Sequence, residues 1–291
     1  MRYETAQVNR LGNREKNQDR VAIVENDGAI LMVLADGLGG HHGGEIASQK
    51  AVDMFIQLFG EQEIPLADPR QFLKMGMDSA HRSIVDAGNA QFPPIIPRTT
   101  CVACVIQGGN ATWAHIGDSR LYVYRDSEKH FRTMDHSIVE ELFQKGVINE
   151  MERATHPKRH HITRCLGGDT EPESNLEQTQ TLKTGDVIIM CSDGLWDPLG
   201  DEGIAEFLDA NLSESVDNMA YEAENRSQPR SDNISVAGFR FLSAADERRK
   251  QQDQPAQESK ASGVVADEQL QQAVEQMRES IDEFRKGSDS G

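Results

Sequence analysis

Apolar alternation and short apolar runs predict strands at 3–9, 20–25, 29–35, 99–107, 111–116, 121–124, 187–191 and 233–239. Asp27-Gly28 and Gly108-Gly109-Asn110 fall between successive runs, as tight hairpin turns require. A helical period intervenes between the third and fourth strands. Residues 45–59 carry Ala47, Ala51, Phe55 and Phe59 on one stripe, and residues 69–89 continue with helical spacing. Two more helices are expected after Gly194, at 201–210 and 213–227. Strand runs interrupted by helix pairs, without a regular βαβα alternation, predict an α+β fold in which helices cover antiparallel sheets.

The pattern changes near Ala244. The stretch ERRKQQDQPAQESKASG has charges, Gln and Ser but no apolar period, and reads as a linker. Beyond it Leu270, Val274, Met277, Ile281 and Phe284 recur at spacings of four, three, four and three, an amphipathic helix whose stripe is available to a partner. The expected organisation is a folded domain at 1–243, a polar linker at 244–263 and a helix at 264–287.

Composition narrows the function. The 291 residues hold 30 Lys plus Arg against 48 Asp plus Glu, a net charge of -18, which argues against nucleic acid or an anionic membrane as partner. The N-terminus lacks an apolar leader segment and the longest apolar run, 29–35, is too short to span a bilayer, so a cytoplasmic protein is expected. Cys101 and Cys104 form a CxxC, but TTCVACVIQ reads as a buried strand whose residues three apart face opposite sides; core packing is expected, not redox chemistry.

Four segments place a carboxylate at the end of a predicted strand: Asn17-Gln18-Asp19, LADGLGG with Asp36, CSDGLWD with Asp193, and SDNISV with Asp232. A lone Asp-Gly after a strand is a turn. Several carboxylates converging from neighbouring strand ends form an oxygen-rich site for hard cations such as Mg²⁺ or Mn²⁺.

In order, RLGNREKNQD, VLADGLGGHHGGEIAS, RTT, HIGDSRLYVYR, DHSIVEEL, ITRCLG, MCSDGLWD and SDNISV resemble the bacterial form of the metal-dependent type 2C serine/threonine protein phosphatases, over about residues 3 to 240. The resemblance implies an α-β-β-α sandwich of two antiparallel sheets flanked by helix pairs, with a binuclear metal site at one edge. It implies that Asp36 bridges two cations, that the Gly37 carbonyl completes one, and that Asp193 and Asp232 hold the other. By the same resemblance Asp19 would act through metal-bound water, Asp118 would serve a third, looser cation, and Arg14 would grip phosphate. Gln18 stands where some members have Glu. A proton for the leaving alkoxide is assigned to His41, with His42 beside it leaving the register open. Arg120 is expected in a structural ion pair.

The implied reaction is hydrolysis of phosphoserine and phosphothreonine in proteins by a metal-bridging water, opposing a bacterial-type kinase. Two alternatives use the same fold: a catalytically inactive phosphoprotein-binding scaffold, and a regulatory phosphatase in a partner-switching or secretion complex. Between Asp135 and Leu166 the family places a mobile flap, and here Arg153, Lys158, Arg159 and Arg164 read either as a local basic cluster that attracts phosphoproteins or as a solvated loop with scattered charge.

Overall fold

The computed structural model describes residues 1–39, 43–168, 170–171, 175–176, 179–208 and 211–242. The chain opens with β1 (Tyr3–Arg10), β2 (Asp19–Asn26) and β3 (Ala29–Leu38), then forms α1 (Gly44–Gly60) and α2 (Pro69–Asn89). It returns as β4 (Arg98–Thr99), β5 (Cys101–Gln107), β6 (Asn110–Ile116), β7 (Arg120–Arg125) and β8 (Glu128–Arg132). Two short helices, α3 (Ile138–Gln144) and α4 (Glu150–Thr155), and three short strands, β9 (Leu166–Gly167), β10 (Asn175–Leu176) and β11 (Gln180–Thr181), follow. The domain closes with β12 (Val187–Cys191), α5 (Asp193–Ala205), α6 (Leu212–Arg226) and β13 (Ile234–Phe241).

All strand pairs are antiparallel. One sheet runs β1-β13-β12-β7-β8; the other runs β10-β6-β5-β3-β4-β9, with β2 also on β3 and β11 on β6. Alternation along each strand sorts the apolar side chains into three layers. Leu31, Val33 and Ala35 of β3 pack with Phe55 and Phe59 of α1 and Leu73 and Met77 of α2. Ile30, Met32 and Leu34, on the other face of β3, meet Ile188, Met190 and Phe239 between the sheets. Ile189, Cys191 and Val236 face Leu195, Val216 and Met219 on the far side. The result is the expected α-β-β-α sandwich.

Local chemistry explains where the elements begin. Asp68 caps α2 by accepting from the Arg70 and Gln71 N–H groups, and Pro69, which has no N–H to satisfy, takes the first helical position. Cys101 and Cys104 face opposite cores, and burial pushes both thiols well above the ordinary cysteine range. Four elements depart most clearly from the sequence reading. The helix expected at 201–210 begins at Asp193, because Gly194, Pro198 and Gly200 mask its period; at Gly200, φ is 68° and the chain turns between two helical stretches. Strand β8 is a polar edge strand with one partner and therefore no apolar alternation. Helices α3 and α4 are too short for a periodic signal. His41, His42, the linker and the C-terminal helix lie outside the described residues. No helix among the described residues is long and apolar enough to cross a membrane.

The α1–α2 contact depends on Gly76, where a Cβ would stand 2.2 Å from Phe55 Cε1. Phe55 is fully buried and meets Phe72 edge-on, so the ring has little room to move. Alanine gains about 1 kcal/mol of helix propensity over glycine, but overpacking a filled core costs about 1–3 kcal/mol. Gly76→Ala is expected to lower the urea midpoint; a midpoint equal to or above the parent's would show that this packing is slack.

Candidate metal and phosphate site

Strand register gathers the acidic residues. Asp19 opens β2 and Asp36 stands opposite it near the end of β3. In the other sheet β12 lies between β7 and β13, and its last residue, Cys191, is opposite both Arg120 and Val236. Asp118, Asp193 and Asp232 each sit two residues outside an end of these strands, before β7, after β12 and before β13. Three antiparallel neighbours therefore deliver three carboxylates to one edge.

Hydrogen bonds join this edge to the sheet that carries β2 and β3. Ser192 Oγ donates to Asp19 Oδ2 at 2.7 Å and itself accepts from the Ser235 N–H at 3.0 Å. The Gln18 N–H donates to Asn233 Oδ1 at 2.8 Å. Asp36 is fixed through its backbone: its N–H donates to Thr100 Oγ1, and its carbonyl accepts from Thr99 Oγ1 and the Thr100 N–H. Gly37 donates to the Gln18 carbonyl, and a Cβ there would lie 2.3 Å from Gly44 O, so only glycine fits between β3 and the start of α1.

The loop between β1 and β2 is strapped to the segment before β13. Asn233 Nδ2 donates to the carbonyls of Leu11 and Lys16, and Asn13 Oδ1 accepts from Ser231 N and Oγ. Gly12, at φ 59°, approaches so closely that a Cβ would stand 2.1 Å from Asp232 O. This seats Arg14 in a two-pronged pair with Asp232, Nε to Oδ1 at 2.8 Å and Nη2 to Oδ2 at 2.7 Å.

Arg14, Asp36, Gly37, Asp118, Asp193 and Asp232 line one cavity of about 660 Å³, and Lys16, Gln18, His160 and Ile162 complete much of its wall. Asp19 is buried beside them, 1% exposed. Burial raises the carboxyls of Asp36 and Asp193 well above the usual carboxylate range, and the neighbouring aspartates raise them further. Burial lifts Asp19 to about 6, with the charge of Asp232 adding to it and the Ser192 bond opposing it. Asp118 rises to about 7 through burial and Asp135, with Arg120 opposing.

Among the described residues no group of three or more His, Cys, Asp or Glu side chains closes into a finished coordination shell. Asp19 is engaged by Ser192, and Asp232 by Arg14. The donor set nevertheless fits a hard divalent cation: it is all oxygen, partly buried, mutually repelling, and backed by a glycine with no side chain over its carbonyl. Of the residues singled out from the sequence, Arg14, Asp19, Asp36, Gly37, Asp118, Asp193 and Asp232 come together, and His41 and His42 are outside the described residues.

Arg120 forms the structural ion pair expected of it, with Asp135 at 2.8 and 2.7 Å, and lies 3.5 Å above the Trp196 ring. Two members of the expected basic cluster are paired with carboxylates. Arg153 bonds Glu140 and Glu150 and stacks on Phe143, and Arg159 pairs with Asp197, so the protein's own carboxylates neutralise much of it. Ser192, Asn233 and Thr100 escaped the sequence reading. Their signal is a short polar residue beside a wholly apolar strand, which demands a hydrogen-bond partner once buried.

Comparison with known proteins supplies the class. The family described as "Protein phosphatase 2C" matches residues 7–228. The protein phosphatase PhpP of Streptococcus pneumoniae is 32% identical over 228 residues, 77% of this chain and 91% of that protein. The S. agalactiae serine/threonine phosphatase superposes with a TM-score of 0.76 at 32% identity, over 83% of this chain and 100% of that one. The catalytic domain of the phosphatase PstP, solved in complex with two manganese ions, superposes at 0.70 with 30% identity, over 83% of this chain and 99% of that one. A sandwich of two antiparallel sheets with a cluster of aspartates and an arginine at its edge is the architecture of a phosphoryl-transfer hydrolase, and the chain belongs to the protein phosphatase 2C family. Its activity is the metal-dependent dephosphorylation of phosphoserine and phosphothreonine in proteins.

The raised carboxyls set a pH dependence. A carboxyl whose folded value exceeds its unfolded 3.8 holds extra protons in the native state, so its contribution falls as pH rises through about 6 for Asp19 and about 7 for Asp118. In chelator the melting temperature is expected to fall between pH 5 and pH 8, and the rise produced by a fixed Mn²⁺ concentration to grow over that range. Asp118→Asn should flatten both trends. An Mn²⁺ effect of equal size at both pH values would contradict the cluster.

Proposed function

We propose that two Mg²⁺ or Mn²⁺ ions are held by Asp36 between them, by the Gly37 carbonyl, and by Asp193 and Asp232, with Asp19 acting through water and Asp118 serving a third. The observation that carries this is the convergence of five aspartates from sequence-distant strand ends beside one arginine. Bound cations supply an activated water and offset charge on the phosphoryl oxygens. The remaining work falls to the protein's side chains.

Arg14 exchanges Asp232 for the phosphoryl oxygens, to which it offers the same two parallel donors. The Ser235–Ser192 relay fixes Asp19 in one orientation, so no rearrangement is needed when a substrate arrives. His41 donates a proton to the leaving serine or threonine oxygen. The intact aspartate set supports a working enzyme over an inactive scaffold. The PstP complex with two manganese ions supports the choice of metal, and the naming of PhpP and PstP as phosphatases supports phosphorylated proteins as substrates. The physiological setting we infer is the cytoplasm, opposite a bacterial-type serine/threonine kinase. We assign the catalytic unit to residues 1–243 and a partner contact to the segment 264–287.

Asp36→Asn is expected to lower kcat for a phosphopeptide by about a thousandfold or more, since each 1.36 kcal/mol of transition-state stabilisation is worth about tenfold. Arg14→Ala is expected to raise KM about tenfold with a smaller change in kcat, and lysine to restore only part of it. Parent-like turnover of Asp36→Asn at saturating Mn²⁺ sinks the metal assignment, and an unchanged kcat/KM for Arg14→Ala returns that residue to the surface.

A further inference from the structure

Strand β4 has only two residues, yet it lies between the two chain segments that wall the catalytic cavity. On one side β3 ends at Leu38 and runs into Gly39; on the other, the chain that enters β9 carries His160 and Ile162, and all four line the cavity. The two residues of β4 face opposite ways. Thr99 turns inward, its hydroxyl donating to the Asp36 carbonyl at 2.7 Å, so its neighbour Arg98 turns outward and is exposed. Register places Arg98 opposite Leu38, and residues opposed across an antiparallel pair share a face, so Arg98 stands on the same face as a wall residue.

The other flank seats the side chain. Arg98 is also opposite Gly167, and a Cβ on the following Gly168, at φ 77°, would stand 3.1 Å from Arg98 Nε and 3.8 Å from its Cδ and Cζ. The guanidinium therefore lies across a bare glycine, and it forms no ion pair among the described residues. That sets it apart from Arg14, Arg120, Arg125, Arg153 and Arg159, each of which meets a carboxylate. In a chain of net charge -18, an arginine clear of carboxylates beside the cavity keeps its whole fork of donors for an incoming acceptor.

We propose that Arg98 is a specificity-determining residue that binds an acidic side chain of the substrate protein, flanking the phosphorylated serine or threonine. The inference rests on the reading of the aspartate cluster as the site of phosphoryl transfer. Two residues along β3 at about 3.4 Å each, and one strand spacing of about 4.8 Å, put Arg98 roughly 8 Å from Asp36, backbone to backbone. Extended peptide covers that distance in two to three residues, so the acidic residue stands two or three positions from the phosphorylated one. A pair at an exposed rim sorts substrates more than it adds affinity.

The test sets the full chain beside Arg98→Gln, Arg98→Glu and Arg98→Lys. The substrates are phosphoserine peptides in which a single Gln is replaced by Glu or by Lys, at each position from three before to three after the phosphoserine. The readout is kcat/KM for the Glu peptide over the Gln peptide, divided by the same ratio in Arg98→Gln, which cancels any change common to both peptides. The expected value is about fivefold at two or three residues from the phosphoserine and near one elsewhere, and it shrinks in high salt. Arg98→Lys is expected to keep part of this preference, and Arg98→Glu to favour the Lys peptide at the same position. A value near one at every position overturns the contact and leaves Arg98 a solvated surface residue. An equal preference at every position marks a general field and overturns it as well. A parent that turns over neither p-nitrophenyl phosphate nor any of the peptides in saturating Mn²⁺ overturns the phosphatase reading itself, and the contact with it.

Discussion

The constraint on which the structure turns is the repulsion among five aspartates held at one edge of the sandwich. Asp19, Asp36, Asp118, Asp193 and Asp232 arrive on rigid strand ends, and burial denies most of them the water that would screen their charge. Moving a carboxyl from 3.8 to about 6, as at Asp19, makes its ionisation in place cost roughly 3 kcal/mol. A fold that is stable by only about 5–15 kcal/mol tolerates such a site only where the surrounding framework over-determines it. A cation that binds the native site alone returns this energy as affinity.

The framework that holds the site is neutral. Hydroxyl and amide groups of Ser192, Thr99, Thr100, Asn13 and Asn233 form bonds that do not add charge to the cluster, and each joins segments far apart in sequence. Charged side chains hold the ground one layer farther out, where Arg120 and Asp135 are buried as a matched pair. Arg14 is set directly among the aspartates, and its partner Asp232 is also a ligand candidate. A phosphate dianion can replace that carboxylate as the acceptor for both donors, so the same pair serves for storage and for use.

Much of this was legible in the sequence. Alternation fixed the principal strands, and Asp-Gly pairs at strand ends announced the carboxylates, because period and turn chemistry are local properties. The order of β7, β12 and β13 in the sheet is not local, and without it the convergence of Asp118, Asp193 and Asp232 rests on resemblance. Helix α5 was hidden by Gly194, Pro198 and Gly200, and β8 by its polar edge position. The flap arginines read as free charge because their partners Glu140 and Asp197 are set by tertiary packing. Ser192 and Asn233 were visible as letters, but the bonds that give them meaning span 173 and 215 residues.

The claim that cations relieve carboxylates kept partly protonated by burial and mutual repulsion is tested most directly by counting protons. Calorimetric titration of Mn²⁺ into the chelator-treated protein, repeated at each pH in two buffers of different ionisation heat, reports the protons displaced on binding. Burial and repulsion at Asp19, Asp36, Asp118 and Asp193 predict net proton release, larger at pH 6 than at pH 8. Tight Mn²⁺ binding with no proton release at either pH would contradict it.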